Sequence, residues 1–175
     1  TFFKVSSGTV PIFIIIFALS NFTGPLLLGR LFDTVGRRPM IAATYGISAV
    51  LLAGAGYLFQ IGVFGPVGQT AVWMVVFFFA SAAASSAYLT VAETFPLEIR
   101  ALAIAAFYAI GTGIGGVSGP LLFGSLVESG SRGYVLVGYL IGAALMAVAA
   151  IVGGLYGTAA EGKSLEAVSK PLAAA

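Results

Sequence analysis

The charged residues fall in tight groups and leave four long stretches without any. None lies between Val5 and Gly29, between Pro39 and Ala92, between Ala101 and Val127, or between Gly133 and Ala160. An uncharged block of roughly 20 residues is long enough to cross about 30 Å of hydrocarbon as a helix. Eight bases and six acids make up 8% of the 175 residues, where a soluble domain carries about 25%. So few charges cannot coat a globule of this size. A mean hydropathy of +1.08 agrees. A soluble enzyme, a nucleic-acid binder and a disordered chain are excluded. The expectation is an all-α integral membrane protein, a polytopic bundle of transmembrane helices in a lipid bilayer.

The chain has no Cys and no His. It therefore has no disulfide, no thiolate nucleophile, no Cys metal site, and none of the usual general base and metal ligand near neutral pH. No metal, no cofactor and no nucleic-acid partner are expected. The net charge of +2 reads as basic loops on the cytoplasmic side. The start, Thr1-Phe2-Phe3-Lys4, is not a signal peptide and does not begin with Met, which suggests a fragment.

Five spans follow, at about 9–29, 39–60, 70–92, 101–127 and 134–156, with a tail over 158–175. Pro11 and Pro39 suit helix starts, and Gly24-Pro25 suits a kink. Gly62 to Gln69 reads as a polar connection with a turn at Gly65-Pro66. Leu165 and Val168 suggest a short amphipathic helix in the tail. Arg30, Arg37, Arg38, Arg100, Lys163 and Lys170 fall on one side of this arrangement, against Lys4 and Arg132 on the other. The side with more bases should be cytoplasmic, placing the N-terminus outside and the C-terminus inside. Trp73 and Tyr57 then lie near the outer interface, with Trp73 a membrane anchor or an outer gate.

Gly111, Gly115 and Gly119 recur every four residues in the fourth span, a smooth ridge on which a neighbouring backbone can approach closely. Ser81 to Ser86 form another small-residue surface. Such faces serve plain packing or the sliding of a moving bundle.

The first basic connection reads Gly29-Arg30-Leu31-Phe32-Asp33-Thr34-Val35-Gly36-Arg37-Arg38-Pro39. Gly36 permits a tight turn, and Asp33 should pair with the arginines or cap a helix. The third connection reads Glu93-Thr94-Phe95-Pro96-Leu97-Glu98-Ile99-Arg100. Glu93 at a helix C-terminus needs a cation, which Arg37, Arg38 or Arg100 can supply. The first loop closely resembles the G-x-x-x-D-[RK]-x-G-[RK]-[RK] loop of the major facilitator superfamily, with Thr34 departing from the usual base. The second is similar to the E-x-x-P-x-x-x-R loop of its sugar-porter and metabolite:proton symporter branch, with Glu93, Pro96 and Arg100 matching. Gly162-Lys163-Ser164-Leu165-Glu166 is similar to the end of the sugar-porter tail motif.

That resemblance implies a partial major-facilitator fold, spans eight to twelve of twelve, working with a missing N-terminal half. It implies a secondary transporter, not an enzyme, in a bacterial cytoplasmic membrane, moving a sugar or organic-acid-like metabolite by alternating access, coupled to a proton. It implies that Asp33, Gly36, Arg37, Arg38, Glu93, Pro96 and Arg100 form a cytoplasmic charge network that closes the outward-open state below. The alternatives are a drug:proton antiporter, to whose fifth-span motif Gly111 to Pro120 is similar, and a non-transporting scaffold subunit. Uncharged polar residues within the spans are the candidates for touching solute: Asn21, Ser81, Ser85, Tyr88, Tyr108 and Thr112. No acid lies within any span, so a coupling carboxylate must lie elsewhere.

Overall fold

The computed structural model describes residues 2–169. Its elements are α1 (Val10–Thr34), α2 (Arg37–Gln60), α3 (Pro66–Thr94), α4 (Leu97–Glu128), α5 (Arg132–Tyr156) and the short α6 (Leu165–Val168), with no strand among the described residues. The first five are each long and apolar enough to cross a membrane. The fold is therefore the all-α, five-span bundle expected.

The helices run beyond the uncharged blocks. The 32 residues of α4 extend about 48 Å at 1.5 Å per residue, against about 30 Å of hydrocarbon, so the charged ends lie outside the apolar layer. At the Arg37 end the connections shrink to Val35-Gly36 and Phe95-Pro96. Gly36 has φ 117°, a conformation that glycine adopts without the steric cost a side chain brings. This lets α2 start at Arg37, two residues before the expected Pro39. Phe95 is extended, as the residue before a proline prefers, and this ends α3.

At the opposite end α3 starts at Pro66, with Gly65 as its N-cap. The reading of Gly62 to Gln69 as a loop is corrected here. Pro66 is the same helix-start signal as Pro11, and Gln69 lies in the first turn, 1% exposed.

Two core clusters hold the bundle, one at each end. Ala55, Phe59, Val76, Val135 and Tyr139 pack at the Trp73 end, and Phe32, Met40, Ile41 and Ala82 at the Arg37 end. Helices α2 and α5 run antiparallel along a seam where Gly56 meets Tyr139, Gly142 meets Leu52 and Gly153 meets Ile41. On α1, a Cβ at Gly24 would overlap the Phe78 carbonyl of α3, and Ser20 Oγ donates to the Met74 carbonyl at 2.5 Å. The small face of α3 supports both neighbours: Ala80, Ala82, Ala83 and Ser86 are all buried.

α4 flanks α3 and α5 and buries none of its residues. Among the described residues nothing lies within 4 Å of a Cβ built at Gly111, Gly115 or Gly119. The ridge faces away from α3 and α5, and close backbone approach falls instead on Gly24 and the α2–α5 seam.

Candidate functional site

Arg37 is the centre of the charged end. It opens α2 and is 7% exposed. Its Nη1 donates to Asp33 Oδ1, near the end of α1, at 2.7 Å. Its Nη2 and Nε donate to the two carboxylate oxygens of Glu93, at 2.6 and 3.1 Å. The planar fork of a guanidinium suits such a bidentate grip on a carboxylate.

Each charge sits at the less favourable end of its own helix. A cation in the first turn of α2 faces the positive pole, and an anion in the last turn of α3 faces the negative pole. Pairing answers both. The cluster ties α1, α2 and α3 together at one level.

A fourth group arrives from the tail. Glu161 Oε2 accepts the backbone N–H of Arg37 at 3.3 Å. A carboxylate is well placed there, at an unpaired amide of a helix N-terminus. Its own backbone N–H, and then that of Arg37, hold the Glu161 carboxyl below the usual carboxylate range. A Cβ on Gly36 would come 3.0 Å from Glu161 Oε1, so Gly36 both makes the turn and leaves room for the tail. Ala160, beside it, is 5% exposed. Sequence reading did not single out Glu161, and its partner is a main-chain amide that no motif records.

Arg38 and Arg100 take no part in this pairing. Arg38 donates to the carbonyls of Gly154, at 3.1 and 2.8 Å, and of Leu155, at 2.7 Å. It caps the C-terminus of α5, where orphan carbonyls and a negative pole await a cation. Arg100, in the first turn of α4, donates to Phe95 O at the end of α3 at 3.2 Å. Of the three arginines offered for Glu93, Arg37 is the one that meets it: among the described residues the ion pairs are Arg37 with Asp33 and Arg37 with Glu93. Pro96 is the N-cap residue of α4. Lys170, counted with the basic side, lies outside the described residues.

A comparison with protein families matches the Major Facilitator Superfamily over residues 1–173. The chain belongs to that superfamily. Major facilitator proteins are membrane transporters, so a solute and a lipid bilayer are the surroundings of this chain. A comparison with curated proteins returned no match.

On this facilitator chain the solute candidates fall into two groups. Tyr88 of α3 and Tyr108 of α4 are brought together, ring centroids 5.7 Å apart. Ser85 lines a small recess against Pro25, Gly29 and Phe32 of α1, and Thr112 lies one turn beyond Tyr108, its hydroxyl bonded to the Tyr108 carbonyl at 2.6 Å. Ser81 is also bonded to its own helix, at Phe77 O. Asn21 is exposed on α1 and stands apart from the others. Trp73 does not stand free as an interface anchor: its Nε1 donates to the Tyr139 hydroxyl at 2.6 Å. Tyr57 is 57% exposed at the same end.

Proposed function

We propose that this chain is spans eight to twelve of a proton-coupled secondary transporter in a bacterial cytoplasmic membrane. It moves a small polar organic solute, a sugar or organic-acid-like metabolite, by alternating access. The Arg37 end faces the cytoplasm, and the N-terminal half of the transporter completes the solute path. Ser81, Ser85 and Tyr88 of α3, with Tyr108 and Thr112 of α4 and Asn21 of α1, line the side toward that path.

One observation carries this reading: the fork of Arg37 between Asp33 and Glu93. It joins three helices at one end through charges that separate when the ends spread. A contact made in one conformational state and lost in the other biases the equilibrium between them by its differential free energy. About 1.4 kcal/mol changes the ratio tenfold. The ion pairs act as a latch on the outward-open state, and the docked tail adds a second contact.

The test is Glu93→Gln in the full-length transporter, with a reporter cysteine at Ser85. Uptake is expected to fall while membrane insertion stays intact, and labelling of the reporter from the Arg37 side is expected to rise. Wild-type uptake with unchanged labelling would reduce these loops to topology signals.

A further inference from the structure

Residues 2–5, before α1, lie across the Trp73 end of the bundle. Helix α1 packs chiefly on α3, and α5 on α2. Between α1 and α5 this leaves an apolar groove floored by α3, with Phe13 and Phe17 on one wall and Tyr139 and Met146 on the other. At the Arg37 end, the arginine fork already ties α1 to α2 and α3. At the Trp73 end, the segment before α1 spans the gap. Phe2 and Phe3 pack on the core cluster that holds Phe59, Val135 and Tyr139, so they reach from α1 to α2 and α5.

The surface they dock on is built without them. Arg132 is the first residue of α5 and donates to the Phe59 carbonyl at 2.7 Å. That carbonyl lies in the last turn of α2, where orphan acceptors and a negative pole suit a cation. The guanidinium thereby stands 4.9 Å from the Phe59 ring centroid. The Phe2 and Phe3 rings lie edge-on to Phe59, with centroids 5.2 and 6.0 Å away. Each is also 5.7 Å from the same guanidinium. At such distances a cation is attracted by the ring quadrupole. Arg132 is thus shared by three rings, one of α2 and two of the segment.

The backbone gives an independent sign. Lys4 has φ 48°, in the left-handed region that a lysine occupies only at a steric cost. Such a conformation persists where surrounding contacts fix it. Lys4 is itself exposed, so its neighbours hold it: the docked rings on one side and α1 on the other. The strain is relieved when the rings leave.

We infer that residues 2–5 are a releasable strap that closes the Trp73 end of the α1–α5 groove and holds α1 to the α2–α5 pair, with Arg132 and Phe59 as its catch. The strap does not depend on the transport reading above.

The chain has no Cys, so introduced cysteine pairs carry nitroxide labels without background. In lipid nanodiscs, pulsed electron spin resonance between Lys4→Cys and Val63→Cys reads the strap. The pair Ile12→Cys and Val137→Cys reads the width of the groove. One dominant, narrow distance is expected for each pair. Phe2→Ser/Phe3→Ser should broaden the strap distance and lengthen the groove distance. Arg132→Gln should lower the ratio of docked to released strap about tenfold, and Arg132→Lys, which keeps the cation, should lower it less. A broad strap distance in the wild type would overturn the inference, as would an unchanged groove width after both rings are removed. A strap as well docked in Arg132→Gln as in the wild type would overturn it too, leaving apolar packing as the hold. The two serines lie outside every helix, so that comparison decides even where Arg132→Gln does not fold.

Discussion

Removing the Arg37 side chain is the sharpest test of the charge cluster, because its two partners differ in environment. The Glu93 side chain is 12% exposed and that of Asp33 66%. Arg37→Met leaves Glu93 nearly buried, unpaired and at the negative end of α3. Breaking a buried pair from one side costs about 3–5 kcal/mol. The nearby aqueous end puts this case at the low limit, about 3 kcal/mol. Glu93→Gln keeps an acceptor for Arg37, which also keeps Asp33, and should cost about 1–2 kcal/mol. Asp33→Asn removes a pair screened by water and should cost under about 1 kcal/mol. The double variant Arg37→Met/Glu93→Gln leaves no buried charge, so its cost should fall below the sum of the singles by about 1–2 kcal/mol. Thermal unfolding of the detergent-solubilised chain, followed by size-exclusion chromatography, measures the ranking. Asp33→Asn as damaging as Arg37→Met, or a strictly additive double variant, would refute a nearly buried Glu93–Arg37 pair as the anchor.

Three further outcomes are expected. Gly24→Ala should cost about 1–3 kcal/mol in the same assay through its overlap with the Phe78 carbonyl, whereas Gly115→Ala should be neutral or stabilising by up to about 1 kcal/mol, as in any unpacked helix. The Glu161 carboxyl is held below its ordinary range, so its contribution is complete above the unfolded value near pH 4.3 and is lost as pH falls through the lowered one. A fluorophore on Thr158→Cys should therefore report a docked tail from pH 8 to 5 and release only at lower pH, and Glu161→Gln should weaken docking at neutral pH and flatten that profile. Cysteines at Gly65 and Thr34 should label from opposite membrane faces, and labelling of both from one side would overturn the five-span arrangement.

The helix count was legible because charge-free blocks have one physical explanation at this length. Element ends were less so: Gly62 to Gln69 holds three glycines and a proline, and the burial of Gln69 depends on Tyr139, 70 residues later. The Asp33–Arg37 pair was legible because Asp33 is the one acid among the arginines of that loop, although the turn at Gly36 places the two on different helices. That Arg37, and not Arg38, meets Glu93 was not. Neighbours on a helix point about 100° apart, so one turns toward α1 and α3 and the other toward α5, a distinction that counting charges in a loop does not make. The glycine ridge of α4 was plain in the sequence, but a spacing does not say which way a face points.

The tail contact has a consequence for how the sequence can drift. Glu161 reads the main chain of residue 37, not its side chain. The identity of residue 37 can therefore change under selection for the helix ends while the tail keeps its hold. Residues 36 and 161 have no such latitude. A side chain at 36 would crowd the carboxylate, and a shorter acid at 161 would fall short of the amide. Among relatives, an acid at 161 should therefore occur with glycine at 36, even in lineages where the arginine itself has gone, while the glycine, held also by its backbone angle, can outlast the acid.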